Sequence, residues 1–314
     1  MIYTISANPS IDYAMDMSAP LELGITNRSV GERYSVGGKG INLSLVLKNL
    51  GVKSIALGFA AGFTGEKIVS ELCKEGIENE FFRLASGESR TNVKIHSGGF
   101  ETEINAAGPF VSEADIARLV DRIKSVQSGD VVVISGSLPR TDDGARSLYT
   151  DIAKAVRAAG ADFVADVTGK TLLELLPLCP MLIKPNAQEL CDIFGEGAAD
   201  TADSVFECAS ALKEKGAKRV IVSAGSRGAY MLTSDGERCF LPAIVPNGKK
   251  AVSTVGAGDS MVAGFLAALT RGMSEREAFL YGSAAASATV FSDGLATCEY
   301  TKELFELYSG SKES

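Results

Sequence analysis

Short β-branched runs alternate with longer segments of helical period along most of the chain. On this pattern strands are predicted over 2–6, 54–57, 131–134, 163–165, 181–183, 220–222 and 229–232. Helices are predicted over 42–49, 65–74, 113–126, 144–158, 204–215, 260–270 and 275–290. The runs VVVIS and RVIVS place apolar side chains at consecutive positions, so both faces of those strands need cover. A doubly wound α/β domain with a mostly parallel sheet flanked by helices is the expected architecture. Ligands in such sheets bind beyond the carboxyl ends of the strands, so the residues just after each strand carry the chemical interest.

One region departs from the alternation. Residues 86–107 have no helical period, and Ser97-Gly98-Gly99 suits a hairpin turn. Period-two spacing puts Arg90, Asn92 and Lys94 on one face of the first hairpin strand and Thr91, Val93 and Ile95 on the other. Together with 10–36 this segment is expected to form a small sheet projecting from the main body, or else a solvated edge hairpin. No repeat, low-complexity tract or long linker divides the chain, so 1–314 reads as a single domain with that sheet attached.

Composition narrows the function. Of 314 residues, 46% are hydrophobic and 22% charged, which supports a large core and excludes a disordered chain. The formal charge of -8 gives no bulk attraction for nucleic acid. An anionic metabolite would need local Lys, Arg and backbone N–H groups. The least charged helical stretch, 260–270, is too short to span a membrane, and the first residues lack the basic-then-apolar pattern of a signal peptide. The six cysteines show no C-x-x-C pair and are expected as buried thiols in a reducing cytoplasm. His96 is the only histidine, so Ser-His-Asp, Cys-His and histidine-rich metal chemistry are disfavoured. Acid–base work then falls to a carboxylate or a lysine.

The segment Ser253-Thr254-Val255-Gly256-Ala257-Gly258-Asp259 runs into the helical pattern SMVAGFLAALTRG. Small residues let the backbone approach a ligand, and N–H groups at a helix start favour an anion. Asp259 could take a proton from a nearby hydroxyl; an ordinary Asp-capped glycine turn is the simpler alternative. G-x-G-x-x-G fails at Met261, and Gly40 after Lys39 breaks the Walker A pattern, which disfavours dehydrogenases and P-loop enzymes. A second cluster, Gly37-Gly38-Lys39-Gly40-Ile41-Asn42, precedes LSLVLKNLG and offers a cation in Lys39 and a polyol ligand in Asn42, or merely a tight turn. Asp12 follows the first strand, as a sugar ligand or a turn residue. ISGSLP (134–139), KPNAQEL (184–190) and VSAGSRGA (222–229) each follow a predicted strand. Asn186 and Glu189 could hold magnesium waters, although Glu189 also suits a first helical turn.

In this order these segments resemble the phosphofructokinase B family of ribokinase-like sugar kinases, across nearly the whole chain. GGKGIN and STVGAGD resemble its two defining motifs, with TNVKI, ISGSLP, KPNAQEL and VSAGSRGA between them. The resemblance implies phosphoryl transfer from ATP to a sugar hydroxyl with Mg²⁺, and a small β-sheet lid that often forms a dimer contact. It implies Asp259 as the base, with the Gly256-Ala257-Gly258 loop stabilising charge. Asp12, Gly38 and Asn42 would contact the sugar, and Lys39 and Arg90 its existing phosphate. Lys184, Asn186, Ser223, Gly225, Ser226, Gly228 and Gly258 would line the ATP site, with Asn186 and Glu189 organising metal waters. The hexose-phosphate branch fits best, with fructose 1-phosphate as acceptor and tagatose 6-phosphate or fructose 6-phosphate as alternatives. A non-catalytic sugar-phosphate sensor is the remote alternative, which the intact GAGD loop disfavours. Two departures stand out: Arg140-Thr141-Asp142-Asp143 follows Pro139 where the family often has Pro-Gly, and Ser253 stands where Asp or Asn is common.

Overall fold

A strand with apolar residues at every position is stable only between two apolar layers, and the central strands here obtain both. The computed structural model describes residues 1–141, 148–246 and 248–310. The elements are β1 (Ile2–Ser6), β2 (Ser10–Met17), β3 (Ser29–Gly37), α1 (Lys39–Asn49), β4 (Ser54–Ala60), α2 (Gly62–Lys74), β5 (Glu78–Arg83), β6 (Arg90–Ser97), β7 (Phe100–Ile104) and α3 (Glu113–Ile123). They continue through β8 (Val131–Ser135), α4 (Leu148–Ala158), β9 (Asp162–Asp166), α5 (Gly169–Leu175), β10 (Leu182–Ile183), α6 (Ala187–Phe194) and α7 (Ala202–Glu214). The last are β11 (Val220–Ser223), β12 (Ala229–Leu232), β13 (Arg238–Leu241), α8 (Ala257–Thr270), α9 (Glu275–Val290) and α10 (Cys298–Gly310).

Among the described residues nine strands form one sheet in the order β13-β12-β11-β10-β9-β8-β1-β4-β5. Every pairing from β5 to β11 is parallel, and β12 and β13 add an antiparallel edge. Within β8, Val132 and Ile134 enter the core under α3, α4 and α7, whereas Val133 enters the opposite core with α1, α8 and α9. Burying a side chain of that size stabilises by roughly 1.5–3 kcal/mol, so consecutive apolar residues require both helical layers. The chain leaves β1 toward β4 and β5, then crosses to β8 on its other side. A ligand crevice forms at such a reversal, beyond the carboxyl ends of β1 and β8.

The second sheet has the order β3-β2-β6-β7. Ser97 pairs with Phe100 across Gly98 and Gly99, both at positive φ, as a two-residue hairpin turn demands. Strand β2 pairs with β6 in register Ser10 to Arg90, Asp12 to Asn92 and Ala14 to Lys94. The period-two reading of 90–95 therefore holds.

Three helices start three residues earlier than the periodicity predicts: α1 at Lys39, α2 at Gly62 and α8 at Ala257. Their first residues are mostly small or polar, so they add little to a hydrophobic period, although Ile41 is fully buried and Phe63 is exposed. Helix α3 ends at Ile123, short of the predicted 126, and α4 is described from Leu148, so the predicted start at 144 lies outside the described residues, as do Asp142 and Asp143. The cysteines correct the expectation of burial. Cys239 is buried, Cys191, Cys208 and Cys298 are partly covered, and Cys73 and Cys179 are exposed. Among the described residues no helix is long and apolar enough to cross a membrane.

Candidate active site

The residues after β8, β10 and β11 converge with the starts of α1 and α8 and one face of the small sheet. They enclose a cleft of about 1010 Å³. Every residue given a site role from the sequence lines it: Asp12, Gly38, Lys39, Asn42, Arg90, Lys184, Asn186, Glu189, Ser223, Gly225, Ser226, Gly228, Gly256, Ala257, Gly258 and Asp259.

Two helices present bare amino termini to this cleft. Ser112, Thr201 and Ser274 cap α3, α7 and α9 with side-chain oxygens. Helices α1 and α8 start instead behind Gly38 (φ 123°) and Gly256 (φ 77°), with no side-chain cap. Such φ values strain any other residue, and a bare start leaves N–H donors and the positive end of the helix dipole for an anion. The Val255 N–H donates to Ser253 Oγ at 3.2 Å and the Ala257 N–H to the Thr254 carbonyl at 3.3 Å. This leaves the Gly256 and Gly258 amides as the better placed donors. Gly258 also makes room for Lys184, because a Cβ there would lie 2.9 Å from Lys184 Nζ.

Asp259 occupies the first turn of α8 and is 5% exposed. Asn42 Nδ2 donates to its Oδ2 at 2.8 Å. Burial pushes the Asp259 carboxyl up to about 6, with Asp166 adding to the rise and Asn42, Lys39 and Lys184 opposing it. Asp166, at the carboxyl end of β9, is 2% exposed and lies between two ammonium groups. Lys184 Nζ is 3.4 Å from Oδ1 and Lys39 Nζ is 3.3 Å from Oδ2. Burial pushes the Asp166 carboxyl up, but the pull of Lys184 and Lys39 is stronger and holds it below its ordinary value.

A second polar group lies on the small sheet. Ser10 Oγ and Asn92 Nδ2 donate to Asp12 Oδ1 at 2.7 and 3.0 Å. Lys94 Nζ lies 3.6 Å from Asp12 Oδ2 and 3.3 Å from Glu103 Oε1. Arg90 donates through Nε and Nη2 to the Asn8 carbonyl at 2.9 and 2.6 Å. Asn8 Nδ2 in turn donates to the carbonyls of Ala107 and Leu138. These bonds tie together the connections between the two sheets. Beneath the loop after β8, the buried Tyr149 hydroxyl lies 3.0 Å from the Ser135 carbonyl and 3.3 Å from those of Gly136 and Ser137.

Asn186 and Glu189 make a reciprocal capping box at α6: Asn186 Oδ1 accepts from the Glu189 N–H, and Glu189 Oε2 from the Asn186 N–H. Ser223, Gly225, Ser226 and Gly228 form the turn after β11, with Gly228 at φ 107° pressed against the Leu241 carbonyl. Arg140 is exposed, its backbone paired to Phe110, and it stays out of the cleft.

The sequence reading missed Asp166, Ser10, Asn92, Lys94 and Glu103 as parts of the site. Asp166 had a usable signal, a carboxylate directly after the buried apolar run 163–165, at the end of the strand where ligands bind. Lys94 and Asn92 were placed on the correct face, but nothing local shows that this face meets the cleft.

The chain is 41% identical to a 1-phosphofructokinase of Bacillus subtilis over 304 residues, covering 97% of both proteins. It is 38% identical to a D-tagatose-1-phosphate kinase of Bacillus licheniformis, covering 94% of each. Its fold superposes on the phosphofructokinase-2 of Escherichia coli in complex with fructose-6-phosphate with a TM-score of 0.88 and 29% identity, covering 98% of this chain and 99% of that one. Residues 6–302 match the model of the pfkB family of carbohydrate kinases. Fold, cleft and likeness agree, and the chain belongs to the pfkB family of carbohydrate kinases, enzymes that transfer a phosphoryl group to a sugar.

Proposed function

We propose that the protein phosphorylates fructose 1-phosphate at its C6 hydroxyl, using ATP, to give fructose 1,6-bisphosphate. The observation that carries the reading is the buried Asp259 at the bare start of α8, bonded by Asn42 and within the field of Lys39 and Lys184, which pair with Asp166. The hydroxyl oxygen forms a bond to the γ-phosphorus as the bond to the β–γ bridging oxygen breaks. ADP leaves with that electron pair, and Asp259 takes the hydroxyl proton. Preorganised Gly256 and Gly258 amides stabilise the charge on the transferring group, a contribution typically worth 10²–10³ in rate per donor. Asp12, Gly38 and Asn42 orient the sugar, and Arg90 meets its phosphate. The turn 223–228 with Lys184 lines the nucleotide side.

The donor set suits Mg²⁺ arriving with the nucleotide. Glu189 and Asn186 line the cleft with a carboxylate and an amide oxygen. Among the described residues no three His, Cys, Asp or Glu side chains form a ready-made metal cage. Magnesium usually keeps several waters and binds through one or two carboxylates plus phosphates, whose charge it neutralises. Asn186 and Glu189 would hold it through those waters.

Two 1-phosphate kinases among the relatives favour a substrate phosphorylated at C1, and tagatose 1-phosphate replaces tagatose 6-phosphate as the nearest alternative. The small sheet serves as a lid, closing its Asp12 face over the sugar. Its other face, where Tyr34, Phe100 and Ile104 stand 50%, 80% and 58% exposed, meets a second copy of the chain. The test is ADP release with Mg-ATP on fructose 1-phosphate, tagatose 1-phosphate and fructose 6-phosphate. A tenfold higher kcat/KM for fructose 1-phosphate, about 1.4 kcal/mol, is expected. Equal or better turnover of another sugar phosphate sinks the assignment of substrate, and turnover of none sinks the hexose-phosphate reading.

A further inference from the structure

Among the cations that line the cleft, Lys39 and Lys184 stand apart from Arg90 and Lys94 of the small sheet and from Lys249, which bonds Tyr300. Lys39 and Lys184 lie on either side of the Asp166 carboxylate, at 3.3 and 3.4 Å. Arg90 belongs to the small sheet, bound to the Asn8 carbonyl. Lys39 shares a face of α1 with Asn42, one turn further on, and Asn42 donates to Asp259. Lys184 Nζ stands against Gly258, at the start of α8. Both ammonium groups thus stand beside the candidate base and the bare helix start.

This arrangement conflicts with the simplest sequence reading, in which Lys39 and Arg90 together hold the sugar's existing phosphate. In a hexose phosphorylated at C1 and accepting at C6, the two ends lie across the ring from each other. A lysine beside the group that deprotonates the C6 hydroxyl is badly placed for the phosphate on C1. We propose that Lys39 and Lys184, spaced by Asp166, are paired catalytic cations for the phosphoryl group in transfer, and that Arg90 anchors the sugar phosphate without Lys39.

The charges support the pairing. The carboxylates acting on Lys39 are Asp166, Asp259 and Glu189, in that order, and they outweigh the effect of burial and keep its ammonium protonated. Arg90 feels Asp12 instead. Two ammonium groups and one carboxylate leave one net positive charge facing the Gly256 and Gly258 amides. Asp166 touches no reacting atom; it is a positioning residue that fixes the spacing of the two lysines, which would otherwise repel each other.

The proposal rests on the phosphotransfer reading, and its test separates the two. In Lys39→Met, kcat is expected to fall about 10²–10³-fold with the KM for fructose 1-phosphate changed less than threefold. In Arg90→Met that KM is expected to rise tenfold or more. Calorimetric titration with ATP and ADP gives a readout needing neither sugar nor turnover: Lys39→Met should lose at least fivefold of the wild-type preference for ATP over ADP. Asp166→Asn should show the same two effects in weaker form, and Lys39→Arg should recover part of the ATP preference. A Lys39→Met enzyme with a tenfold higher KM for the sugar phosphate and an unchanged ATP-to-ADP ratio overturns the proposal. If the wild type turns over no hexose phosphate, the function reading fails by itself, and the nucleotide titration still decides the role of Lys39.

Discussion

Asp259 is held in two opposing ways: burial makes its charge costly, while Asn42, Lys39 and Lys184 make it tolerable. Its carboxyl titrates at about 6, above the ordinary 3.8, so the folded chain takes up that proton before the unfolded chain does. The folded state therefore bears the full cost of the ionised group above about pH 6, and the cost fades as pH falls toward 4. Asp259→Asn removes it, so at pH 8 the variant should be about 3 kcal/mol more stable than wild type in denaturant titration, with the gain gone by pH 4. The same variant should lose at least 10²-fold in kcat. A variant keeping a tenth of wild-type activity would rule Asp259 out as the base. The pH profile gives a second handle. For the free enzyme kcat/KM should fall below about pH 6, and Asn42→Ala, which removes a donor to the ionised carboxylate, should move that limb to higher pH. A limb that stays in place or moves lower would contradict the assignment. At this scale Asp259, Lys39 and Asn42 were legible because each belongs to a dense local motif. Asp166 was not, because its importance comes from two lysines at positions 39 and 184.

The helices and strands that build the cleft trade their own stability for donors and space. Ala at a helical position normally stabilises by about 1 kcal/mol over Gly. At Gly258 an added Cβ would meet the mobile end of Lys184 at 2.9 Å, so the helix can keep its fold while the ammonium is displaced. Gly258→Ala should therefore retain its melting temperature within a few degrees and lose at least tenfold in kcat; unchanged kcat would show that Lys184 need not stand there. The small sheet carries a different device. Arg33, Asp16, His96 and Glu101, one from each of β3, β2, β6 and β7, form a row of polar contacts across it. Hydrogen bonds to Asp16 and Glu101 raise the His96 imidazole above its ordinary value, against burial and Arg33. A histidine raised by its partners stabilises the fold fully below about 6.5, and that contribution is lost as pH rises through the raised folded value. Amide-exchange protection of β6 and β7, corrected for intrinsic rates, should drop between pH 6 and 9 in the wild type and change less in His96→Gln. Equal drops in both would show that the row does not hold the sheet.

For the whole molecule, the proposed dimer would join the sheet to function. The exposed Tyr34, Phe100 and Ile104 lie on the face opposite Asp12, Asn92 and Lys94, so a second copy covering them would stiffen the strands that carry the proposed sugar ligands. Phe100→Glu with Ile104→Glu should yield monomers in analytical ultracentrifugation and raise the KM for the sugar phosphate more than it lowers kcat. A wild type that sediments as a monomer at tens of micromolar would end the dimer proposal.

The sequence by itself determined the layered α/β class, because strands such as VVVIS must be buried on both faces, and it marked the hairpin turn and the two glycine-started helices. It could not determine where the first turns of α1, α2 and α8 begin, since their mostly small and polar first residues add little to a hydrophobic period. Nor could it assign partners. Lys39 and Arg90 read alike as cations beside glycine or polar motifs, and only the crossing of the chain from β5 to β8 sets one at the end of β9 and the other on the small sheet. Charge pairing depends on distance in space, and a local pattern carries no record of the distance between residues more than a hundred positions apart.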